Sequence, residues 1–424
     1  MPASLAAFPI AIHLGAGQTT QGTGRQGSMH LGVLIPEFPA QTHVFFWREA
    51  LALRGLGAKV TFISTRRPKE DCPHRFAHAA VAETHYLFPP RGRAILDRLA
   101  HGQVGAALAY VWSLGRPGRA TAKHLVLAAC AADLACFARA TRIDHLHVHS
   151  CRDAAHLAAM ARRMGGPPYS LHLHGDIDGY GGHHAEKMAG ALFVAAAARP
   201  MQRQLIERVG IPESRTVTLI MGVDTDRFRP AAVRPPKSPF HVVTVSRLHL
   251  SKGHAHALSA IRRVVDRGIP ASYSIVGDGP HRAAIAAEVH RLGLEPHVRF
   301  LGSLGETEIA DLLAQAHVFV LPSIGGMGEA SPVAVMEAMA SGLPTVCSRI
   351  GGTVDMIANE VDGLLTEPGD EAAIAESLAR LHDDPGLWER LSQNARRRAE
   401  TAFDARVLAQ RMLDTIAHYR QNGG

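Results

Sequence analysis

Two glutamates, Glu329 and Glu337, stand eight residues apart in the segment GEASPVAVMEAMASGLPTV, residues 328–346. Carboxylates placed this way can accept hydrogen bonds from the hydroxyls of a sugar or a ribose, provided a helix holds them. The segment supplies that helix. Ser331 suits an N-cap and Pro332 the first helical position. Gly342 suits the left-handed position past the last turn, and Pro344 blocks continuation. A helix is therefore predicted over 332–341. Its N-terminus offers unpaired N–H groups and the positive end of the dipole to an anion or to sugar oxygens. Glu329 falls on the loop ahead. Glu337 falls two turns in, among Val335, Met336, Ala338 and Met339, where a carboxylate is costly to bury without a partner. Taken alone, the pair reads as readily as one charge complementing a helix dipole and one exposed helix residue.

A second group of residues suits a diphosphate. VSRLHLSKG, residues 245–253, puts Arg247 and Lys252 on a loop at the end of a strand. A forked guanidinium and a point-charge ammonium are complementary phosphate binders. IVGDGP, 275–280, is a Gly-rich turn, but Arg282 stands where a dinucleotide fingerprint needs its last glycine. Metal chemistry is not expected. His145, His147 and His149 alternate along one strand near Cys151, and ligands on one short buried strand seldom close a tetrahedral site. Two DxD triplets, Asp176–Asp178 and Asp224–Asp226, are patterns common by chance.

These residues need a scaffold. Short β-branched runs alternate with Ala/Leu-rich helical stretches along the chain, which argues for parallel, doubly wound sheets. The runs are His30–Ile35, Lys59–Ser64, His145–His149, Ser170–His174, Thr216–Met221, His241–Ser246, Ser272–Val276, Val298–Leu301, Val318–Leu321 and Thr345–Ser348. The helical stretches include Ala154–Met164, His254–Arg267, Pro280–Leu292 and Glu306–Gln315. The Pro-rich stretch 230–239, PAAVRPPKSP, reads as a linker between two α/β domains, 29–229 and 240–400, with a last helix at about 402–420 free to pack on either. Two such domains place their strand ends at a shared crevice. Residues 1–28 make a poor signal peptide and read either as a disordered extension ahead of Met29 or as a misplaced start.

At 46% hydrophobic and 20% charged residues, the 424-residue chain has globular composition. No uninterrupted apolar run reaches the roughly 18 residues of a spanning helix, and 102–115 comes closest. A net charge of +7 favours anionic partners such as nucleotide phosphates, a lipid diphosphate or an acidic membrane face. No long basic block points to nucleic acid. The run Arg396–Arg398 reads as a solvated helix face. Five cysteines without a CxxC suit a reducing cytosol.

The order of motifs is more specific than any one of them. SR…KG, VGDGP, FLGSL at 300–304, VFVLPS at 318–323 and the glutamates at 329 and 337 together resemble the donor domain of glycosyltransferase family 4 over nearly all of 216–370. The resemblance implies an α/β chain of the GT-B fold: two Rossmann-like, doubly wound domains facing a central cleft. It implies retaining transfer without a metal or other cofactor, from a UDP- or GDP-sugar. Arg247 and Lys252 would bind the diphosphate, with Ser246 and Gly277 beside them. Glu337 would hold the ribose hydroxyls, and Glu329 would contact the transferred sugar. The backbone at Ala330, Ser331, Pro332 and Val333 would approach sugar and phosphate. Gly302, Ser303 and Leu304 would lie near the base. The chain departs from the family at Met221, His317 and Asp355, none of them in that set.

The first half is less readable. PEFPAQTHVFFWREALALRG, 36–55, resembles the opening of family 4 enzymes that assemble colanic acid and other exopolysaccharides. It puts Phe38, Pro39 and Thr42 at the cleft, with His43 replacing an acidic residue. SLHLHGDIDGYG, 170–181, puts His174 and Gly175 at a strand end near the reacting sugar. The resemblance implies a saccharide or lipid-linked saccharide acceptor. The basic charge and Arg91, Arg93 and Arg98 suggest peripheral contact with the inner face of an anionic membrane. The rival readings are an epimerase, a phosphorylase, and a binding or assembly subunit without activity. No residue pattern supports the first two, and the retained glutamates and cations argue against the third.

Overall fold

The computed structural model describes residues 28–40, 43–68, 76–115, 118–233, 236, 238–325 and 331–422. Among the described residues, thirteen strands form two wholly parallel sheets. The first holds β1 (His30–Glu37), β2 (Lys59–Arg66), β3 (Thr84–Tyr86), β4 (His145–Val148), β5 (Tyr169–Leu173), β6 (Val194–Ala196) and β7 (Thr216–Thr218), in the order β3-β2-β1-β4-β5-β6-β7. The second holds β8 (Phe240–Val245), β9 (Ala271–Val276), β10 (Val298–Gly302), β11 (Val318–Leu321), β12 (Thr345–Ser348) and β13 (Leu364–Thr366), in the order β10-β9-β8-β11-β12-β13. Chain order reverses between β1 and β4 and again between β8 and β11. Ligands of open α/β sheets bind at such switch points, outside the carboxyl ends of the strands.

Eight helices matter for the site: α1 (Val44–Gly55), α2 (Gly92–Ala100), α3 (Val104–Ser113), α4 (Arg119–Ala140), α5 (Asp153–Arg163), α6 (Glu306–Gln315), α7 (Val333–Ala340) and α8 (Ala405–Asn422). The last crosses back to the first half. Ala409, Met412 and Ile416 of α8 share a core with Phe46, Ala50 and Leu53 of α1. The two crossings run side by side, with Val223 N donating to Phe403 O at 2.8 Å and Ala405 N to Val223 O at 2.9 Å.

Both sheets are covered on two faces, so their strands are continuous apolar runs. Among the described residues one helical segment, 121–140, is both long and apolar, while the apolar helix within 102–115 is only ten residues long. Segment 121–140 is long and apolar enough to cross a membrane by length and composition, and half of it is buried inside the fold. Leu127, Ala131, Leu134 and Ala138 face the same core as α5.

The halves meet through segments that follow strand ends. Arg48 of α1 reaches Glu337 of α7. Arg199 N donates to Asp355 at 2.8 Å. Arg227 donates to Thr307 at 3.1 Å. The carboxyl edges of the two sheets therefore face each other.

Candidate active site

The donor-side loops converge because two glycines let backbone touch backbone. Gly277 sits at φ +123°, and a Cβ there would lie 2.0 Å from Ser246 O. Gly253 sits at φ +69°, and a Cβ there would lie 1.8 Å from Pro322 O. Any side chain would push these loops apart. Hydrogen bonds complete the joint: Ser246 N to Val276 O at 3.0 Å, Ile324 N to Ser251 O at 3.0 Å, and Gly277 N to Gly302 O at 2.7 Å. The last bond draws Gly302, Ser303 and Leu304 alongside. Arg247 is exposed on this platform, and its guanidinium forms no ion pair with the described residues. Lys252 is half-buried beside Gly253.

Helix α7 follows, with its entry differing from expectation. Pro332 is the N-cap at φ −68° and ψ 104°, and Val333 begins the helix. Ser331 does not cap it; its Oγ is buried without a partner among the described residues. The exit is as expected. Gly342 sits at φ +62°. Leu343 N donates to Ala338 O at 3.0 Å and Gly342 N to Met339 O at 2.9 Å, closing a Schellman motif. Glu329 and Ala330 lie outside the described residues.

Glu337 is 7% exposed, and its partner is a residue that sequence reasoning passed over. Arg48 Nη2 donates to Glu337 Oε1 at 2.9 Å and to Glu306 Oε1 at 2.6 Å, while Nη1 donates to Gly222 O at 3.1 Å. Burial pushes the Glu337 carboxyl up, and the Arg48 guanidinium opposes it. Burial also weighs against charge on Arg48, but the two carboxylates outweigh it and hold the guanidinium charged. Arg48 thus orients the Glu337 carboxylate from one side. The signal was present: Arg48 and Glu49 interrupt the apolar run VFFWREALAL.

On the facing half, His174 directly follows β5, half-buried, with its backbone N–H donating to Tyr180 Oη at 2.7 Å. Gly175 follows it. Burial and the neighbouring His172, His149 and His43 hold the His174 imidazole well below its usual pKa, so it is neutral. Phe38 and Pro39 do not line the cleft. Both are buried, and Phe38 stacks on Phe62 with centroids 4.7 Å apart while its carbonyl accepts from Tyr86 Oη. They anchor the loop from the core side. Thr42 lies outside the described residues.

This arrangement has known counterparts. Residues 225–398 match the family model described as glycosyl transferases group 1. Residues 225–398 carry a group 1 glycosyltransferase domain. Among curated relatives, the putative colanic acid biosynthesis glycosyltransferase WcaL of Escherichia coli is 31% identical over 215 residues, covering 50% of this chain and 53% of WcaL. The amylovoran biosynthesis glycosyltransferase AmsK of Erwinia amylovora is 31% identical over 222 residues, 52% of this chain and 54% of AmsK. The chain spans about half the length of these curated relatives. Solved structures agree over a longer stretch. A glycosyltransferase from Rickettsia africae superposes with a TM-score of 0.72 at 17% identity, covering 94% of this chain and all (100%) of its own. Anabaena HepE, solved with UDP and glucose, gives 0.69 at 19% identity over 92% of this chain and 99% of its own. The fold is GT-B.

Charged residues around the group 1 domain are mostly structural. Arg396 is not a solvated face: its Nη1 donates to the carbonyls of Thr225, Phe228 and Ala340 at 2.6–3.0 Å. Arg398 likewise donates to Asp355 O and Met356 O. In the first DxD triplet Asp178 pairs with Arg208, and in the second Asp226 pairs with Arg406. Among the described residues one group could hold a metal ion, the buried His147, His149 and His172, with ligating atoms within 4.8 Å of one another. Hydrogen bonds engage all of their ring nitrogens: His147 with Ser170 and His172, His172 also with Leu219 O, and His149 with His174 and Glu49.

The buried histidines predict acid sensitivity. Burial pushes His145, His156 and His172 down to about 3. An unfolded chain protonates them near 6.5, so protons favour unfolding as pH falls below that value. Stability is full above about pH 6.5 and declines toward the folded values. At pH 5.5 these three groups together cost about 4 kcal/mol relative to pH 7.5, at about 1.4 kcal/mol per pH unit each. Urea unfolding at the two pH values checks this, and equal free energies would refute it.

Proposed function

We propose that this chain is a retaining glycosyltransferase that moves a sugar from a UDP- or GDP-sugar to a hydroxyl of a saccharide or lipid-linked saccharide, in the assembly of an exopolysaccharide. The observation that carries this reading is the joint at Gly253 and Gly277. It fixes Arg247 and Lys252 on one rigid platform at the β8/β11 switch point, ahead of the N-terminus of α7. The diphosphate gathers negative charge as the glycosidic bond breaks. Arg247, Lys252 and the free amides of α7 would stabilise that charge. The leaving phosphate would assist removal of the acceptor proton on the same face, which needs no metal. Names of the relatives support the glycan class, and HepE with UDP and glucose supports the donor class. A thermal-shift screen of nucleotide sugars, followed by transfer assays with the best binder and anomeric analysis of the product, tests it. An inverted anomer would overturn the retaining mechanism, and no transfer with any donor that binds would overturn the activity.

The acceptor half would touch an anionic membrane at the cytoplasmic face. Helices α2, α3 and α4 pack together and expose Leu96 (68%), Leu99 (54%), Trp112 (54%), Leu125 (41%) and Val126 (46%). Such apolar exposure beside basic groups suits a lipid interface. Arg98 takes no part. It is 0% exposed and donates to Gln103 and Met164 O. Arg91 pairs with Asp133 at 2.5 Å, which leaves Arg93 exposed next to Leu96. Flotation with phosphatidylglycerol vesicles should recover the native chain with the lipid and lose the Leu96→Ser/Trp112→Ser variant. Equal partition of both would count against this face.

A further inference from the structure

The glutamate beside Arg48 has its own partners, and they lead to the cleft. Glu49 Oε1 lies 3.1 Å from His149 Nε2, and His149 Nδ1 lies 3.0 Å from His174 Nε2. The His149 side chain is 0% exposed, and that of Glu49 is 11% exposed. The direction of each bond follows from its end. A carboxylate only accepts, so a neutral His149 donates from Nε2 and its Nδ1 is bare. That bare nitrogen must accept, so His174 donates from Nε2. The Nδ1 of His174 is then left with a lone pair, and it makes no hydrogen bond with the described residues.

We infer that Glu49 and His149 are positioning residues that lock His174 in its Nε2–H form, making Nδ1 an obligate acceptor for a hydroxyl of a sugar in the cleft. The class of ligand follows from the chemistry: Nδ1 can receive a hydrogen from a hydroxyl and cannot donate to a carbonyl or phosphate oxygen. The neighbouring histidines follow the same logic independently. His172 Nε2 must donate to Leu219 O at 2.9 Å, so its Nδ1 accepts from His147. His147 Nδ1 then accepts from Ser170, and Ser170 accepts from His145 Nε2. The chain ends on a bare His145 Nδ1, and that atom is buried without a partner among the described residues. The low pKa of His174 keeps it neutral, as the assignment requires. From two adjacent positions, α1 therefore serves both lobes: Arg48 orients Glu337, and Glu49 orients His174 through His149.

The part of this inference that concerns a sugar rests on the glycosyltransferase reading; the tautomers do not. Long-range proton–nitrogen correlation spectra of the full chain with 15N-labelled histidine decide the latter at pH 7.5. Signals are assigned by their loss in His149→Phe and His174→Gln. Both rings are expected as Nε2–H. In Glu49→Gln, whose amide can donate as well as accept, both rings shift partly to Nδ1–H. An Nδ1–H ring at His174 in the native chain would overturn the inference whether or not Glu49→Gln folds. Unchanged ring shifts in a folded Glu49→Gln, or a stoichiometric transition metal in the purified protein, would overturn it too. In transfer assays a histidine that must carry the proton loses up to about 10⁴-fold in the wrong tautomer; here, where it only accepts, Glu49→Gln should lower kcat/KM about 100-fold. Native rates in that variant would refute the positioning role. A native chain that transfers no sugar would overturn the activity while the nitrogen shifts still decide the tautomers.

Discussion

Lys252→Ala lowers sugar transfer by about 100- to 1,000-fold, the usual cost of removing one preorganised group from developing charge, and leaves the fold intact. The two halves of this expectation have separate causes. Lys252 stands on the loop between β8 and Gly253, which is pinned to Pro322 on one side and through Ser246 to Gly277 on the other. The backbone that places the ammonium is thus held by contacts that the side chain does not make, so the melting temperature should change little. The catalytic loss is large because a rigid cation needs no reorganisation when the diphosphate departs. Lys252→Arg should recover little of it. A planar fork on a longer stem cannot occupy the position of a compact ammonium on a loop this constrained. Glu329→Ala should show a similar loss, with the donor bound but poorly oriented. Steady-state turnover with the donor chosen by thermal shift checks all three. Near-native rates for Lys252→Ala would sink the donor-site assignment.

The long repeating signals in the sequence located most of the frame. All ten predicted strands occur, each with ends within three residues of expectation. Those that escaped, Thr84–Tyr86, Val194–Ala196 and Leu364–Thr366, are three residues long. Val194–Ala196 is partly alanine, so neither length nor β-branching marks it. Glycine positions were legible because the backbone itself demands them, as at Gly342. Side-chain partnerships across the cleft were not, because spacing along one helix says nothing about the other lobe. Glu337 was read against sugar hydroxyls because its sequence neighbours offered no cation, yet its partner lies 289 residues away. Phe38 illustrates the converse. Its motif resembles a cleft loop, and its side chain points the other way, into the aromatic stack under β2.

Arg48→Ala should destabilise the protein by about 3–5 kcal/mol, the cost of stripping a buried ion pair of one partner. Arg48 is 6% exposed and holds Glu337 of α7 and Glu306 of α6 together with the carbonyl of Gly222 at the crossing between halves. Its guanidinium also lies over Phe228, 5.6 Å from the ring centroid. Truncation leaves Glu337 buried with no counter-charge, facing Glu306, and leaves a carbonyl without its donor. Roughly 2–4 °C per kcal/mol for a domain of this size puts the fall in melting temperature at about 10 °C. The ion pair and the void it leaves can be separated. Arg48→Met keeps most of the volume but still strands the carboxylate, so it should fail nearly as badly. Arg48→Met combined with Glu337→Gln removes the two buried charges and leaves only the partly exposed Glu306, so it should recover much of the loss, because a buried pair replaced as a unit is near neutral. The coupling energy from this double-mutant cycle is the measurement that decides. Additive losses would show that Arg48 does not act through Glu337. A coupling of about 2 kcal/mol or more would show that one arginine from the acceptor half sets the charge state of the carboxylate proposed to hold the donor's ribose.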